Sequence, residues 1–172
     1  EHQQSMLNML QGRSEIPLLI SGDLETGGNM GAHDGTYFGR QMQVAAANGV
    51  DTSQRYGEVI AREGGAIGYN WHFGPVVDIN YNFQCAITNT RTFGDTPEVV
   101  RKHMMPTIEG IQKNGMAACA KHWPGDGVDD RDQHHLTSVN AYSMEKWRRT
   151  YGRIYREVID GGVKTIMSAH IA

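Results

Sequence analysis

The sequence predicts an α/β chain of the (β/α)8-barrel type, seen as an incomplete part of the barrel. Apolar runs lacking polar alternation, such as Met116 to Ala120 and Val163 to Ala169, suit buried strands of a parallel sheet. Stretches with helical spacing separate these runs, and polar residues collect where each run ends, which is where α/β enzymes keep their ligand groups. Four strands can be read, around Pro17, Phe73, Ala117 and Val163. A complete barrel takes about 250 residues, so residues 1–172 are expected to form one domain that is incomplete at both ends.

In chain order, Gln4 to Gln11 carries Met6, Leu7, Met9 and Leu10 at helical spacing, with Gly12 as a stop. Ile16 to Ser21 is a short apolar strand that runs into Gly22-Asp23-Leu24-Glu25-Thr26-Gly27-Gly28. Gly35 to Asn48 reads as a helix through Phe38, Met42 and Ala45-Ala46. Asp51-Thr52-Ser53 opens a second helix, with Tyr56, Val59 and Ile60 on one side and Gly64-Gly65 as its end. Trp71 to Asn80 is the second strand, and Asp78 falls at its carboxyl end. That aspartate is either a ligand group or a carboxylate held by loop amides or an arginine. Pro97 to Asn114 is a helix with proline in its first turn and Val99-Val100, Met104, Ile108 and Ile111 as an apolar stripe. The third strand, Met116 to Ala120, is stopped by Pro124, Gly125 and Gly127, which sets Lys121 and His122 at its carboxyl end. Met144 to Asp160 is the last helix, and its Trp147, Tyr151, Ile154, Tyr155 and Val158 read as core packing.

Composition excludes several functions. With 39% hydrophobic and 20% charged residues, a net charge of -3 and no basic run longer than Arg148-Arg149, neither nucleic acid nor an anionic membrane is indicated. No apolar run approaches the roughly 20 residues of a membrane span. Cys85 and Cys119 have neither metal-ligand spacing nor the density of a disulfide scaffold, so both read as buried thiols. A cytoplasmic setting is slightly favoured, and secretion stays open if a leader was removed.

The chemistry is concentrated from Lys121 to His135. Four aspartates and two histidines fall between Asp126 and His135, too many for a plain connector. Lys121-His122-Trp123-Pro124-Gly125-Asp126-Gly127, followed by Asp132-Gln133-His134, resembles the Lys-His-Phe-Pro-Gly-x-Gly…Asp-x-His signature of glycoside hydrolase family 3, and in particular its β-N-acetylglucosaminidase branch. The Asp23 segment is similar to the family's Asp-x-Glu-Gly-Gly, Trp71 to Asn80 to its Phe-x-Pro-Val-x-Asp-Ile, and Arg91 to Pro97 to its Arg-x-Phe-Gly-x-x-Pro. The resemblance implies that Asp132 and His134, on a mobile loop, are the general acid/base. It also implies that Asp23, Arg91, Lys121 and His122 bind the sugar, with no cofactor and no metal. The implied activity is release of terminal β-linked N-acetylglucosamine from a carbohydrate substrate by a retaining mechanism. Three departures accompany it: Thr26 is an extra residue, no arginine follows the glycines at Asn29-Met30-Gly31, and Asp126 stands where the family often has a second histidine. The family's nucleophile is an aspartate on a later strand, so the 172 residues alone are expected to turn nothing over.

The Asp132–His134 pair has a physical basis of its own. In an extended loop, residues i and i+2 point the same way, so a carboxylate can accept a hydrogen bond from one imidazole nitrogen while the other faces a substrate. A glycosidase needs a proton donor whose pKa lies near the working pH, and a histidine starts at about 6.5. Alternatives remain at this level: another family 3 exo-glycosidase of β-glucosidase type, a metal-binding hydrolase using Asp126, Asp129, Asp130, Asp132, His134 and His135, or a non-catalytic sugar-binding fragment. Activity that survives exhaustive chelation separates the dyad from the metal.

Overall fold

The structure, a computed structural model, describes residues 2–172. Four parallel strands stand side by side in chain order: β1 (Ser21–Gly22), β2 (Trp71–His72), β3 (Ala117–Trp123) and β4 (Thr165–Ser168). Ser21 pairs with Trp71, Trp71 with Ala117, and Cys119 with Thr165. Each strand returns to the sheet through helices, as parallel neighbours require. These are α2 (Gln41–Ala46) and α3 (Val50–Ile67), then α4 (Pro97–Lys113), then α5 (Met144–Arg149) and α6 (Tyr151–Asp160), with α1 (His2–Arg13) ahead of β1. The architecture is that of part of a (β/α)8 barrel. Among the described residues, no helix is long and apolar enough to cross a membrane.

Burial explains most elements. Tyr56 and Ile60 of α3, Ile108 and Ile111 of α4 and Ile154 and Val158 of α6 are fully buried on the stripes that helical spacing predicts. They enclose Val77, Ile79, Ala118 and Ala120 from the sheet side. The start of α4 follows from Pro97 in its first turn and from Thr96, whose side chain accepts the Val99 amide. Both cysteines are buried and free.

Five elements differ from the sequence expectation, each for a local reason. The run Ile16 to Ser21 contributes only its end to β1. Ile16 and Leu19 are exposed, and the backbone of Leu18 and Ile20 bonds to the side chains of Gln11 and Asn70 instead of a strand. The Gly35 to Asn48 helix contracts to α2, because Gly39 has φ +117° and the amides of Phe38 and Gly39 are drawn to the Thr26 carbonyl. α3 runs through Gly64-Gly65 and ends at Gly68, which takes the left-handed conformation. Gly64 instead makes room: a Cβ there would lie 2.5 Å from Leu24 and 2.8 Å from Met116. The Met144 to Asp160 helix breaks into α5 and α6 at Thr150. Strand β2 is also shorter than Trp71 to Asn80, since Gly74-Pro75 interrupts it. The chain nevertheless stays beside β3 through the bonds Lys121 N–H to Pro75 O and Val77 N–H to Lys121 O. The peptide bonds before His122, Pro75 and Pro124 are cis.

Helices α3 and α4 approach through two glycines. A Cβ on Gly57 would lie 2.3 Å from the Thr107 carbonyl, and one on Gly110 would lie 2.2 Å from the Gln54 carbonyl. Because backbone cannot yield as a side-chain tip does, Gly57→Ala is expected to lower stability by about 1–3 kcal/mol, the usual cost of overpacking, despite the better helix propensity of alanine. Chemical denaturation of the full-length protein measures this, and an unchanged or raised midpoint would contradict the close approach.

Candidate active site

The site is assembled at the carboxyl ends of β1, β2 and β3. Lys121 lies within β3 with its side chain almost wholly buried, and its Nζ reaches Asp23 Oδ1 (2.7 Å) and Glu25 Oε1 (2.8 Å), both just beyond β1. Arg91 comes from a short 3-10 turn, Asn89–Arg91, and forms a two-pronged bond to Glu25 through Nε (2.8 Å) and Nη2 (2.6 Å). A buried carboxylate survives only with such partners. Burial alone would raise the Glu25 pKa. The Arg91 hydrogen bonds and the charges of Lys121 and Arg91 outweigh burial and hold it at about 2.

His122 is held differently. Its Nδ1–H donates to Asp78 Oδ2 (2.6 Å), and its backbone N–H also points at the Asp78 carboxylate. Asp78 is fully buried, and its third donor is the Asp126 N–H (2.8 Å). Of the two sequence readings of Asp78, the structure therefore has the carboxylate held by loop amides, with the His122 ring added. His72, beneath Lys121, is pushed down to about 4 by burial and by the lysine charge. It stays neutral and accepts the Leu24 N–H at Nδ1 (3.3 Å).

Asp132 and His134 meet, but not through an extended loop. Asp132 opens a single helical turn: its carbonyl accepts the amides of His135 and Leu136, and its Oδ1 accepts the His134 N–H (2.9 Å), as an N-cap does. The same Oδ1 accepts the His134 Nδ1–H (2.7 Å). These two bonds lower the Asp132 pKa, so the carboxylate remains an acceptor. The tautomer follows from that, and leaves Nε2 of His134 unengaged by the pair. The His134 side chain is 60% exposed.

A cleft of about 370 Å³ is lined by Asp23, Glu25, Arg91, Lys121, His122 and His134. Five of the six residues named from the sequence thus share one cleft, with Asp132 behind His134. Glu25, Gln133 and His170, to which the sequence reading gave no role, also line it. A signal for Glu25 existed, since it lies two residues from Asp23 on the same side of an extended segment. The other loop carboxylates turn elsewhere. Asp129 pairs with Arg131 and accepts the Val139 N–H, while Asp126 is buried. Among the described residues, no three His, Cys, Asp or Glu side chains are set to hold a metal ion.

Residues 2–172 match the family model of the glycosyl hydrolase family 3 N-terminal domain. A β-N-acetylglucosaminidase/β-glucosidase of Cellulomonas fimi is 49% identical over 162 residues, covering 94% of this chain and 29% of that protein. Among solved structures, a β-glucoside phosphorylase is 44% identical with a TM-score of 0.95, covering 99% of this chain and 31% of its own. A β-N-acetylglucosaminidase from Paenibacillus sp. str. FPU-7 is 30% identical with a TM-score of 0.93, covering 98% and 33%. The chain thus spans about a third of the length of these proteins.

The depressed Glu25 pKa has a consequence for stability. A carboxylate whose folded pKa lies below its unfolded value stabilises the fold above about pH 4.5, and that contribution is lost as pH falls towards about 2. The size is at most roughly 3 kcal/mol. Glu25→Gln should therefore be clearly less stable than the wild type near neutral pH, with the gap closing in acid. Urea unfolding of both proteins at several pH values measures this, and a pH-independent gap would contradict the ion-paired state of Glu25.

Proposed function

Since this chain belongs to glycosyl hydrolase family 3, we propose that it supplies the sugar-binding cleft and the acid/base of an exo-acting glycosidase that releases terminal β-linked N-acetylglucosamine with retention. The observation that carries this reading is the His134 ring at the cleft wall, tied at Nδ1 to an ionised Asp132 so that Nε2 is left for the substrate. Asp23, Arg91, Lys121 and His122 are assigned the sugar hydroxyls. Arg91 and Lys121 are suited to this because their positions are preset by Glu25 before any ligand arrives.

In the first half-reaction, a nucleophilic carboxylate, expected from another part of the full-length protein, bonds to the anomeric carbon while the glycosidic bond breaks and protonated His134 gives its Nε2 proton to the leaving oxygen. In the second, the neutral Nε2 takes a proton from the water that resolves the glycosyl-enzyme. The two cleft carboxylates, Asp23 and Glu25, are both engaged by cations, so neither is assigned as nucleophile.

A second reading concerns the acceptor and the sugar. One of the structural neighbours is named a β-glucoside phosphorylase, and the Cellulomonas fimi relative carries β-glucosidase in its name. A histidine acid/base suits an anionic acceptor. Once it has given up its proton it is neutral, whereas a carboxylic acid would become an anion and repel phosphate. Nitrophenyl N-acetylglucosaminide and glucoside, each assayed with and without inorganic phosphate, separate these possibilities. A glycosyl phosphate product selects phosphorolysis, and free sugar at an unchanged rate selects hydrolysis.

The roles of the dyad are tested in the full-length protein by leaving-group dependence. His134→Ala should cost substrates with poor leaving groups about 10²–10⁴-fold in rate. Nitrophenyl sugars should lose less in the first step and accumulate glycosyl-enzyme. Asp132→Asn should follow the same pattern more mildly, because the ring remains but is less firmly oriented. Equal losses on good and poor leaving groups would remove His134 from the acid/base role.

A further inference from the structure

The acid/base turn is anchored by the residue between its two members. Among the described residues, Gln133 is the only buried side chain from Asp130 to Thr137. Its Nε2 donates to Asp126 Oδ2 (2.7 Å), and its Oε1 accepts the His170 N–H (2.9 Å). The orientation is set by the His170 backbone N–H, which only donates and so takes the amide oxygen, leaving the amide N–H for the carboxylate. The amide can therefore sit in a single orientation. Asp126 is itself immobilised: its N–H is on Asp78, its Oδ1 accepts the Gly127 N–H (2.7 Å), and its carbonyl takes the Tyr151 hydroxyl. One amide thus ties together the turn after β3, the dyad turn and the segment after β4.

We propose that Gln133 is a positioning residue for the acid/base, setting how far His134 reaches into the cleft by fastening the dyad turn to Asp126 and to the backbone of His170. This rests on His134 being the acid/base. Gln133 lies between Asp132 and His134 in a one-turn helix, so its side chain leaves the turn on the inner side while theirs stay outside. Without the anchor, the Asp132–His134 hydrogen bond would survive, because it lies within the turn. What would be lost is the distance from Nε2 to the glycosidic oxygen. Misplacement of a catalytic group by about 1 Å can cost about 10²-fold in rate.

An acidic replacement adds a second handle. Gln133→Glu keeps the size but sets a carboxyl against Asp126, whose own pKa is raised by burial and by the Asp78 charge. Such a pair holds together while it shares a proton and parts when both groups ionise. The charged or titratable groups around it are Asp78, His122 and Arg91, which act on Asp126, the Cys85 thiol and the Tyr151 hydroxyl, which bond to it, and Asp132, His134 and His170. The anchor of this variant should therefore be made at acid pH and broken at alkaline pH.

The experiment uses the full-length protein with Gln133→Leu and Gln133→Glu, substrates of poor and good leaving group, and inhibition by the free product sugar. For Gln133→Leu, kcat/KM on poor leaving groups should fall about 10–10²-fold, with good leaving groups and sugar inhibition changing by less than about 3-fold. Gln133→Glu should lie near the wild type at the acid end of the profile and acquire an extra descending limb at its alkaline end, on poor leaving groups only. Equal losses on both substrate classes, no loss, or a Gln133→Glu profile parallel to the wild type would overturn the proposal. Should Gln133→Leu not fold, the Gln133→Glu profile decides alone. The His134→Ala pattern is read alongside. If it lacks leaving-group dependence, the acid/base assignment fails, and if it has it while the Gln133 variants do not, only the positioning role fails.

Discussion

One buried carboxylate, that of Asp78, carries the geometry of the site. It is fully buried, among the described residues no lysine or arginine pairs with it, and it is held by two backbone N–H groups and one imidazole N–H. Taking a carboxylate out of water is costly, so this one is stable only where those donors converge. The convergence fixes the His122 ring and the amide of Asp126 in one step. Asp126 in turn is the acceptor for Gln133, so the path from the end of β2 to the dyad turn passes through two carboxylates and one amide. The cleft histidine and the proposed acid/base are both referred to Asp78.

The opposite wall is built on charge. Glu25 is flanked by Lys121 and Arg91, with Arg40 at 3.6 Å, and Lys121 also reaches Asp23. Surface ion pairs contribute little, yet here Glu25 and Lys121 are nearly closed to water and the Arg91 contact is two-pronged. The arrangement satisfies the buried charges and leaves the more exposed Asp23 carboxylate at the cleft mouth. It also preorganises both cations, so a sugar would meet donors already in place. Replacing either cation would leave Glu25 undercompensated, which makes the proposed sugar-binding wall and the local stability inseparable.

Much of the fold was legible because burial and periodicity agree. The fully buried residues of α3, α4 and α6 repeat at helical spacing, and the small residues of β3 have no polar alternation. The misreadings share a cause: the backbone found partners that periodicity does not encode. Gln11 and Asn70 take over the Leu18 backbone, Thr26 draws in Phe38 and Gly39, and Thr150 ends α5 with its hydroxyl on the Lys146 carbonyl. At the site, Lys121 and His122 were legible as residues at the carboxyl end of a strand, and Asp132 and His134 through the resemblance, although they meet through a turn and not the extended loop expected. Glu25 carried only the signal of its place two residues from Asp23, and Gln133 none, because what marks them is met across the fold: Arg91 and Lys121 for Glu25, Asp126 for Gln133.

The aromatic stripe of the last helical segment shows how packing and site geometry merge. Read from the sequence as core, it is core for Ile154, Tyr155 and Val158, but Trp147 and Tyr151 use their polar ends as well. The Trp147 indole N–H donates to the Pro124 carbonyl (2.7 Å), the Asn140 amide to the Gly125 carbonyl (3.0 Å), and the Tyr151 hydroxyl to the Asp126 carbonyl. Three successive carbonyls of the turn after β3 are thus satisfied from behind, which a buried turn requires. Gly125, with φ +128°, lies flat on the Tyr151 ring, where a Cβ would come within 2.2 Å. The break at Thr150 puts Trp147 and Tyr151 in separate segments, and each still reaches the turn with its polar end. The turn they hold is what delivers the Asp126 amide to Asp78.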